Sequence, residues 1–395
     1  MDFSHSEAQA ELAGLARKIL DERDTPGQQW ADLATAGVLA AGLPESLGGA
    51  GLGFLEQCSV LAEAGRAAAP VPYLASVVLG AGAIAAFGSA DQQRQWAVPA
   101  GEGSVVLTAA LEEEDCWDPA APSARAARAG AGWVLSGVKT AVPALPSAGL
   151  FLIPATSPGG VMVFLAEPSD AGVSVEPQAL TDGAPAGRLV LDGVAVDDSR
   201  VLGAPGQGAQ VASWLAARAT VGLCAVQAGV AEQALELTAR YARTREQFGR
   251  PIGSFQAVAQ RLADAYIDVK AIWLTMWQAA WLLAGGYPGG TGQSGDTGQP
   301  GDGDVAAAVA TAKFWAADAG HRVAHTAVHV HGGTGIDMSH PVHRYFLAAK
   351  QAEFTLGGAT QQLVRLGDIL AGTVRESGKA TAAHRNDPPC QLNTP

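Results

Sequence analysis

The chain has 395 residues, 48% of them hydrophobic and 16% charged, with a formal net charge of −13. That composition supports a large packed core and excludes an intrinsically disordered chain. The acidic balance argues against a nucleic-acid partner, whose phosphates it would repel, and the length allows two or three packed domains.

The opening "MDFSHSEAQAELAGLARK" lacks the basic start and apolar stretch of a secretory signal. No uninterrupted apolar run reaches the ~20 residues a membrane span requires, so no membrane partner is expected. Cys58, Cys116, Cys224 and Cys390 are scattered with no CxxC pair. That pattern predicts free thiols in a reducing, cytoplasmic setting.

In "SEAQAELAGLARKIL", Leu12, Leu15, Ala16, Ile19 and Leu20 recur at helical spacing behind Ser6, a natural N-cap. "GQQWADLATAGVLAAGLPE" and "FLEQCSVLAEAGRAAA" continue the pattern on either side of a turn, "SLGGAGLG". From residue 104 the texture changes: "SVVLTAAL", "GWVLSGVKTAV", "GLFLIPA", "GVMVFLA" and "AGRLVLDGVAV" are short β-branched runs separated by Gly and Pro. A long periodic segment resumes near 205, and three more helices are expected around 253–284, 305–331 and 341–373. Trp273, Trp277 and Trp281 form a stripe along one helix face, suited to core or interface packing. The glycine-rich 285–304 reads as a surface linker. The reading is therefore α+β: an all-helical domain at 1–103, a β-barrel or sandwich at 104–204, a helical bundle of four helices at 205–375, and a flexible tail at 376–395.

Two blocks carry chemistry. In "YARTREQFGRPIGSFQ", Arg245 falls at the end of a long helix, where a planar guanidinium suits bidentate pairing with a diphosphate. The competing reading is an arginine that merely offsets the helix dipole. In "VHVHGGTGIDMSHP", Gly332 and Gly333 follow a helix expected to end near His331, and two small residues permit close backbone approach to a ligand. The i, i+4 histidines His325 and His329, beside His331, match zinc spacing but lack an evident third ligand, so a hydrogen-bonded role is favoured.

These blocks, with "LPESLGGAGLG", "LAEAGRAAAPVPY" and "LVLDGVAVDDSRVLGAPGQG", make the chain resemble the FAD-dependent acyl-CoA dehydrogenase family over residues 1–373. The resemblance implies an N-terminal helical domain, a middle β-domain and a C-terminal four-helix bundle. It implies that Arg245 and Phe248 reach across a subunit interface to the FAD pyrophosphate, with Gln256 on the adenosine side. It assigns Gly332 and Gly333 to FAD, with His329 where the family usually has Gln, and adds Thr108, Thr360 and Gln361 to the cofactor set. An acyl-CoA substrate and an electron-transferring flavoprotein as acceptor follow from it as expectations.

Family dehydrogenation removes an α-proton with a carboxylate while hydride leaves the β-carbon for the flavin. The expected Glu position holds Leu356 or, with one residue inserted, Gly357. The alternative family position on the long helix is Ala219, next to Thr220, with Arg218 two residues away from the family's Arg. Glu353 is the nearest acid, one helical turn off. The family's Trp-Ile-Thr/Ser flavin stretch is Ala141, Val142 and Pro143, and Pro there removes a backbone donor. No catalytic residue is therefore assigned. This erosion resembles the base-lacking subunit of heterotetrameric (α2β2) bacterial members, several linked to steroid side-chain degradation, in which a homologous chain supplies the Glu. The alternatives are a flavin monooxygenase of the same fold and a non-catalytic scaffold subunit.

Overall fold

The computed structural model of the chain describes residues 4–22, 25–114, 116, 118–285 and 302–372. Most of the 285–304 linker and the whole 376–395 tail, with Cys390, lie outside them.

The first helix, α1 (Glu7–Glu22), starts as the sequence dictates. Ser6 Oγ accepts the Gln9 backbone N–H at 3.1 Å, and Gln9 Oε1 accepts that of Ser6 at 2.7 Å. This reciprocal cap satisfies two donors that the first turn leaves free. Then come α2 (Pro26–Thr35) and α3 (Phe54–Arg66), a π-helical run Tyr73–Ala81, and the short α4 (Gly82–Phe87), α5 (Ala90–Gln92) and α6 (Val98–Gly101).

The middle of the chain forms one eight-stranded mixed sheet. Its strands are β1 (Val106–Ala109), β2 (Arg125–Ala129), β3 (Gly132–Pro143), β4 (Ala148–Ser157), β5 (Gly160–Ala166), β6 (Val173–Ala179), β7 (Pro185–Asp197) and β8 (Val201–Leu202). Their order is β6-β7-β3-β2-β4-β5-β8, with β1 added beside β4. β1 and β2 run parallel to β4 and the other pairs are antiparallel. β4 explains why "GLFLIPA" is apolar without alternation. Leu150 and Leu152 join the core shared with the helices, while Phe151 and Ile153 join a second core on the other face.

The C-terminal part consists of α7 (Gly208–Thr244), a hairpin of β9 (Glu246–Gln247) and β10 (Arg250–Pro251), α8 (Gln256–Gly285), α9 (Asp302–His331), α10 (Val342–Phe354) and α11 (Ala359–Leu370). The single helix expected over 341–373 is two. Leu356 and Gly357 adopt φ of +58° and +89°, and this left-handed pair breaks the helix between Phe354 and Ala359. The bundle thus has five helices among the described residues. By length and composition α7 is also apolar enough to cross a membrane, although no uninterrupted apolar run marks it, but 78% of its apolar window is buried inside the fold. It is the central helix of the molecule. α3 crosses it at two glycines: a Cβ on Gly65 would lie 2.0 Å from Val226 O, and one on Gly229 1.9 Å from Ala62 O. Of the tryptophan stripe, Trp273 and Trp277 stack at 6.0 Å and Trp277 is buried, whereas Trp281 is half exposed.

Candidate functional site

The arginine block stands at one end of the bundle. α7 stops at Thr244, and Arg245, its C-cap, leaves in extended conformation with its N–H donating to Tyr241 O at 2.8 Å. The hairpin turns back so that Ile252 N–H donates to Arg245 O at 2.8 Å. At its tip Phe248 has φ +54° and is 93% exposed, touching only Phe255 edge-on at 6.1 Å. An aromatic ring held in solvent by a strained backbone contributes nothing to the fold of the isolated chain. Arg245 is exposed too, as is Gln256 at the start of α8.

The Gly332–Gly333 turn is at the same end. α9 ends at His331, as its sequence indicated, and Gly332 follows with φ +61°. Among the described residues, no atom beyond the glycine and its chain neighbours lies within 4 Å of where a Cβ would stand on either one. The backbone there is open to a ligand, and His329 is exposed one turn away. What joins the two blocks is a contact the sequence reading missed: the Tyr241 and His331 rings stack at 4.4 Å, with His340 beside His331 at 4.9 Å.

The other expected residues lie elsewhere. Leu356, Gly357 and Gly358 form the buried turn between α10 and α11, and Thr360 and Gln361 are exposed in the first turn of α11. Gln362, fully buried, donates from Nε2 to Leu356 O at 3.0 Å and Gly357 O at 3.3 Å, locking the turn. From the β-domain, Glu112 Oε1 accepts the Leu356 N–H at 3.4 Å. Burial raises the Glu112 carboxyl to about 7, against the opposing pull of that N–H and of Lys313. Lys313 is itself fully buried, donating to Ala352 O at 2.9 Å and Glu353 O at 3.2 Å, and burial lowers its amine to about 8. Thr108 is buried, and its hydroxyl donates to Pro143 O at 2.6 Å. Glu353 points away from the turn: Lys350 Nζ lies 2.6 Å and His321 Nδ1 3.0 Å from its Oε2. Burial pushes this carboxyl up, but those two hydrogen bonds outweigh it and hold it below the usual carboxylate range. A carboxylate so committed is a poor base. Ala219 and Thr220 are buried within α7, the Thr220 hydroxyl donating to Ala216 O at 2.8 Å.

The candidate residues therefore fall into two groups. Lys313, which touches the end of α10, and Gly332 are nineteen residues apart on α9, so the groups are separated by roughly 28 Å along the helix. An open groove of 860 Å³ runs between α8 and α9, from Ala257, next to Gln256, to His321 and His325, and is lined by Arg261, Asp264 and Arg322. Among the described residues no three His, Cys, Asp or Glu side chains come together as a metal site, and Cys58, Cys116 and Cys224 are free thiols.

The chain thus combines a helical domain, a mixed β-sheet and a helical bundle with an exposed Arg-Phe hairpin beside a Gly-Gly turn. Two family models match the chain: "Acyl-CoA dehydrogenase, N-terminal domain" over residues 4–104 and "Acyl-CoA dehydrogenase, C-terminal domain" over 206–367. Acyl-CoA dehydrogenase FadE27 of Mycobacterium tuberculosis is 50% identical, the match covering 94% of this chain and 100% of that one. A chain of the ChsE4-ChsE5 complex from Mycobacterium tuberculosis superposes with a TM-score of 0.85 at 48% identity, covering 94% of this chain and 99% of its own. A single-residue variant of the steroid ACAD Tcur3481-Tcur3483 gives 0.83 at 41% identity over 93% and 98%. The chain belongs to the acyl-CoA dehydrogenase family, whose members are oxidoreductases.

Proposed function

We propose that the chain is the base-lacking subunit of an FAD-dependent acyl-CoA dehydrogenase built from two homologous chains. In this reading it grips the diphosphate of a flavin whose ring and catalytic Glu belong to its partner. The observation that carries the reading is the division of the site. The corner of Arg245, Phe248, Gly332 and Gly333 is open and shaped for an anionic ligand, while the Leu356–Gly357 turn offers no proton acceptor of its own and is filled by Gln362 and tied to Glu112. The two places differ in what they leave available to a ligand. The corner has room at both glycines and an exposed guanidinium. On the β-domain side, the Thr108 hydroxyl is bonded to Pro143 O and the Ala141 N–H donates to Gln178 Oε1 at 2.8 Å.

A bound flavin would supply the hydride acceptor. This chain's residues would orient it: Arg245 by a fork of hydrogen bonds to phosphate oxygens, the Gly332–Gly333 backbone by close approach, Phe248 by covering the ligand from water, and Gln256 with His329 toward the adenosine end. The complex formed by the 48%-identical relative supports assembly with an unlike homologous chain. That the 41%-identical neighbour is a steroid ACAD supports a steroid side-chain thioester as the acyl-CoA substrate. Electron-transferring flavoprotein as acceptor and a cytoplasmic location belong to the same proposal.

The test is coexpression with a homologous chain that retains the Glu, then flavin stoichiometry and turnover on acyl-CoA thioesters. The expected result is one flavin per pair of unlike chains and activity only in the complex. Robust turnover by this chain alone would refute the reading.

A further inference from the structure

The ring contact at the corner does more than fill space. Tyr241 lies one helical turn before Arg245, whose N–H it receives, and His331 directly precedes Gly332. The arginine arm and the glycine turn are thus each one rigid step from the same 4.4 Å stack, whose planes are inclined by 25°. We propose that His331 is the positioning residue of the dinucleotide grip, its ring fixing the arm that carries Arg245 against the Gly332–Gly333 turn.

The tautomer follows from the bonding. His331 Nδ1 lies 2.8 Å from Ala327 O, and a carbonyl only accepts, so Nδ1 carries the proton and Nε2 a lone pair. That Nε2 is buried and has no partner, in a residue 4% exposed. The neutral ring accepts this; a protonated one would place an N–H donor and a charge against Tyr241 and His340 with nothing to receive them. The titratable groups that face it are Tyr241 from α7 and His340 from the segment before α10, with Asp337 and His343 behind His340. On its own helix His329 is exposed two residues back. Burial, with His340 adding to it, holds the His331 imidazole below the ordinary histidine value. Protonation therefore works against the stack.

The consequence has a distinctive sign. Adding positive charge near a diphosphate should tighten binding as pH falls. If His331 positions the arm, the grip is complete wherever the imidazole is neutral and weakens only below its depressed folded value, because binding then requires the proton to leave.

The inference rests on the proposed flavin grip, and the experiment separates the two. FAD affinity of the apo-complex of this chain with its homologous partner is measured at about pH 8 and below the pH at which the His331 ring titrates, for wild type, His331→Phe and His331→Ala. Wild type should lose up to roughly tenfold in affinity at the lower pH. His331→Phe, which keeps a stacking ring but cannot be protonated, should match wild type at high pH and show no loss at low pH. His331→Ala should bind weakly at both, while its melting temperature at high pH shows that it still folds. An NMR titration of the His331 ring in the chain alone should place its protonation below the ordinary histidine value. Wild-type affinity that is constant or tighter at low pH, or a loss that persists in His331→Phe, overturns the positioning role and leaves the flavin grip standing. A complex that binds no flavin at any pH, in any variant, overturns both.

Discussion

Lys313 offers a quantitative check on the buried group that braces the eroded turn. Its side chain is wholly inside, and its amine donates to the last carbonyls of α10. Burial lowers it from 10.5 to about 8, with the nearby Glu112 and Glu353 opposing the fall. Below that folded value both states hold the proton. Between it and 10.5 the unfolded chain keeps a proton that the folded chain has released, so stability rises with pH. A fall of about 2.5 corresponds to roughly 3 kcal/mol over that window, at about 1.36 kcal/mol for each pH unit. Lys313→Met keeps the stem and removes the titration. Urea midpoints of wild type and variant, followed from about pH 7.5 to about pH 10.5, should diverge, wild type gaining roughly 3 kcal/mol relative to Lys313→Met. Comparing the two cancels titrations that Lys313 does not influence, such as that of the buried Cys58 thiol. Parallel curves would mean that Lys313 is not a charged buried amine in the way its surroundings dictate.

Arg245→Ala in the complex with the homologous partner is expected to weaken FAD binding by about 2–3 kcal/mol, a charge-assisted hydrogen bond's share. The melting temperature of the chain alone should stay unchanged, because its side chain is exposed; fluorescence titration and calorimetry read the two. Gly357→Glu restores a carboxylate at the expected base position but forces a side chain onto φ +89° with its Cβ 3.0 Å from Gln362 Nε2. It should cost about 1–2 kcal/mol of stability and give no thioester oxidation by the chain alone. Gly229→Ala drives a methyl toward a backbone carbonyl at 1.9 Å; calorimetry should show a loss of at least about 1–3 kcal/mol as α3 and α7 separate.

The broad order of helix, sheet and helix was legible because periodicity is a local property: the α1 cap, the end of α7 before Arg245 and the end of α9 at His331 all follow from residues within a turn or two. The break at 355–358 was not, because Leu356 in a left-handed conformation contradicts its own propensity and is held there by Gln362 from the following helix. Sequence order also hid that Thr108 and Pro143, thirty-five residues apart, share a hydrogen bond. Glu112 sits in a run of acids, where its neighbour Glu113 pairs with buried Lys139 at 2.5 Å while Glu112 turns toward the end of α10, a difference adjacent sequence positions do not reveal. One signal did exist for Lys313: a lone cation in the apolar stretch "AVATAKFWAADAG" needs carbonyls or carboxylates around it.

The two halves of the site are held by different forces, and that bears on how one can lose its chemistry while the other remains. The corner is anchored by ring stacking and by backbone hydrogen bonds within the hairpin, leaving Arg245 and Phe248 free of structural duty. The turn is the reverse: Gln362, Lys313 and Glu112 each hold a backbone group there, so its polar side chains serve the fold. The Glu112 carboxylate is buried and already engaged by a main-chain N–H, whereas the Arg245 guanidinium is exposed and available to a ligand. The same separation predicts how the halves respond to substitution. Changes at the corner should move ligand affinity with little effect on stability, changes at the turn should move stability first, and any residue that moved both equally would show that the halves are mechanically coupled along α9.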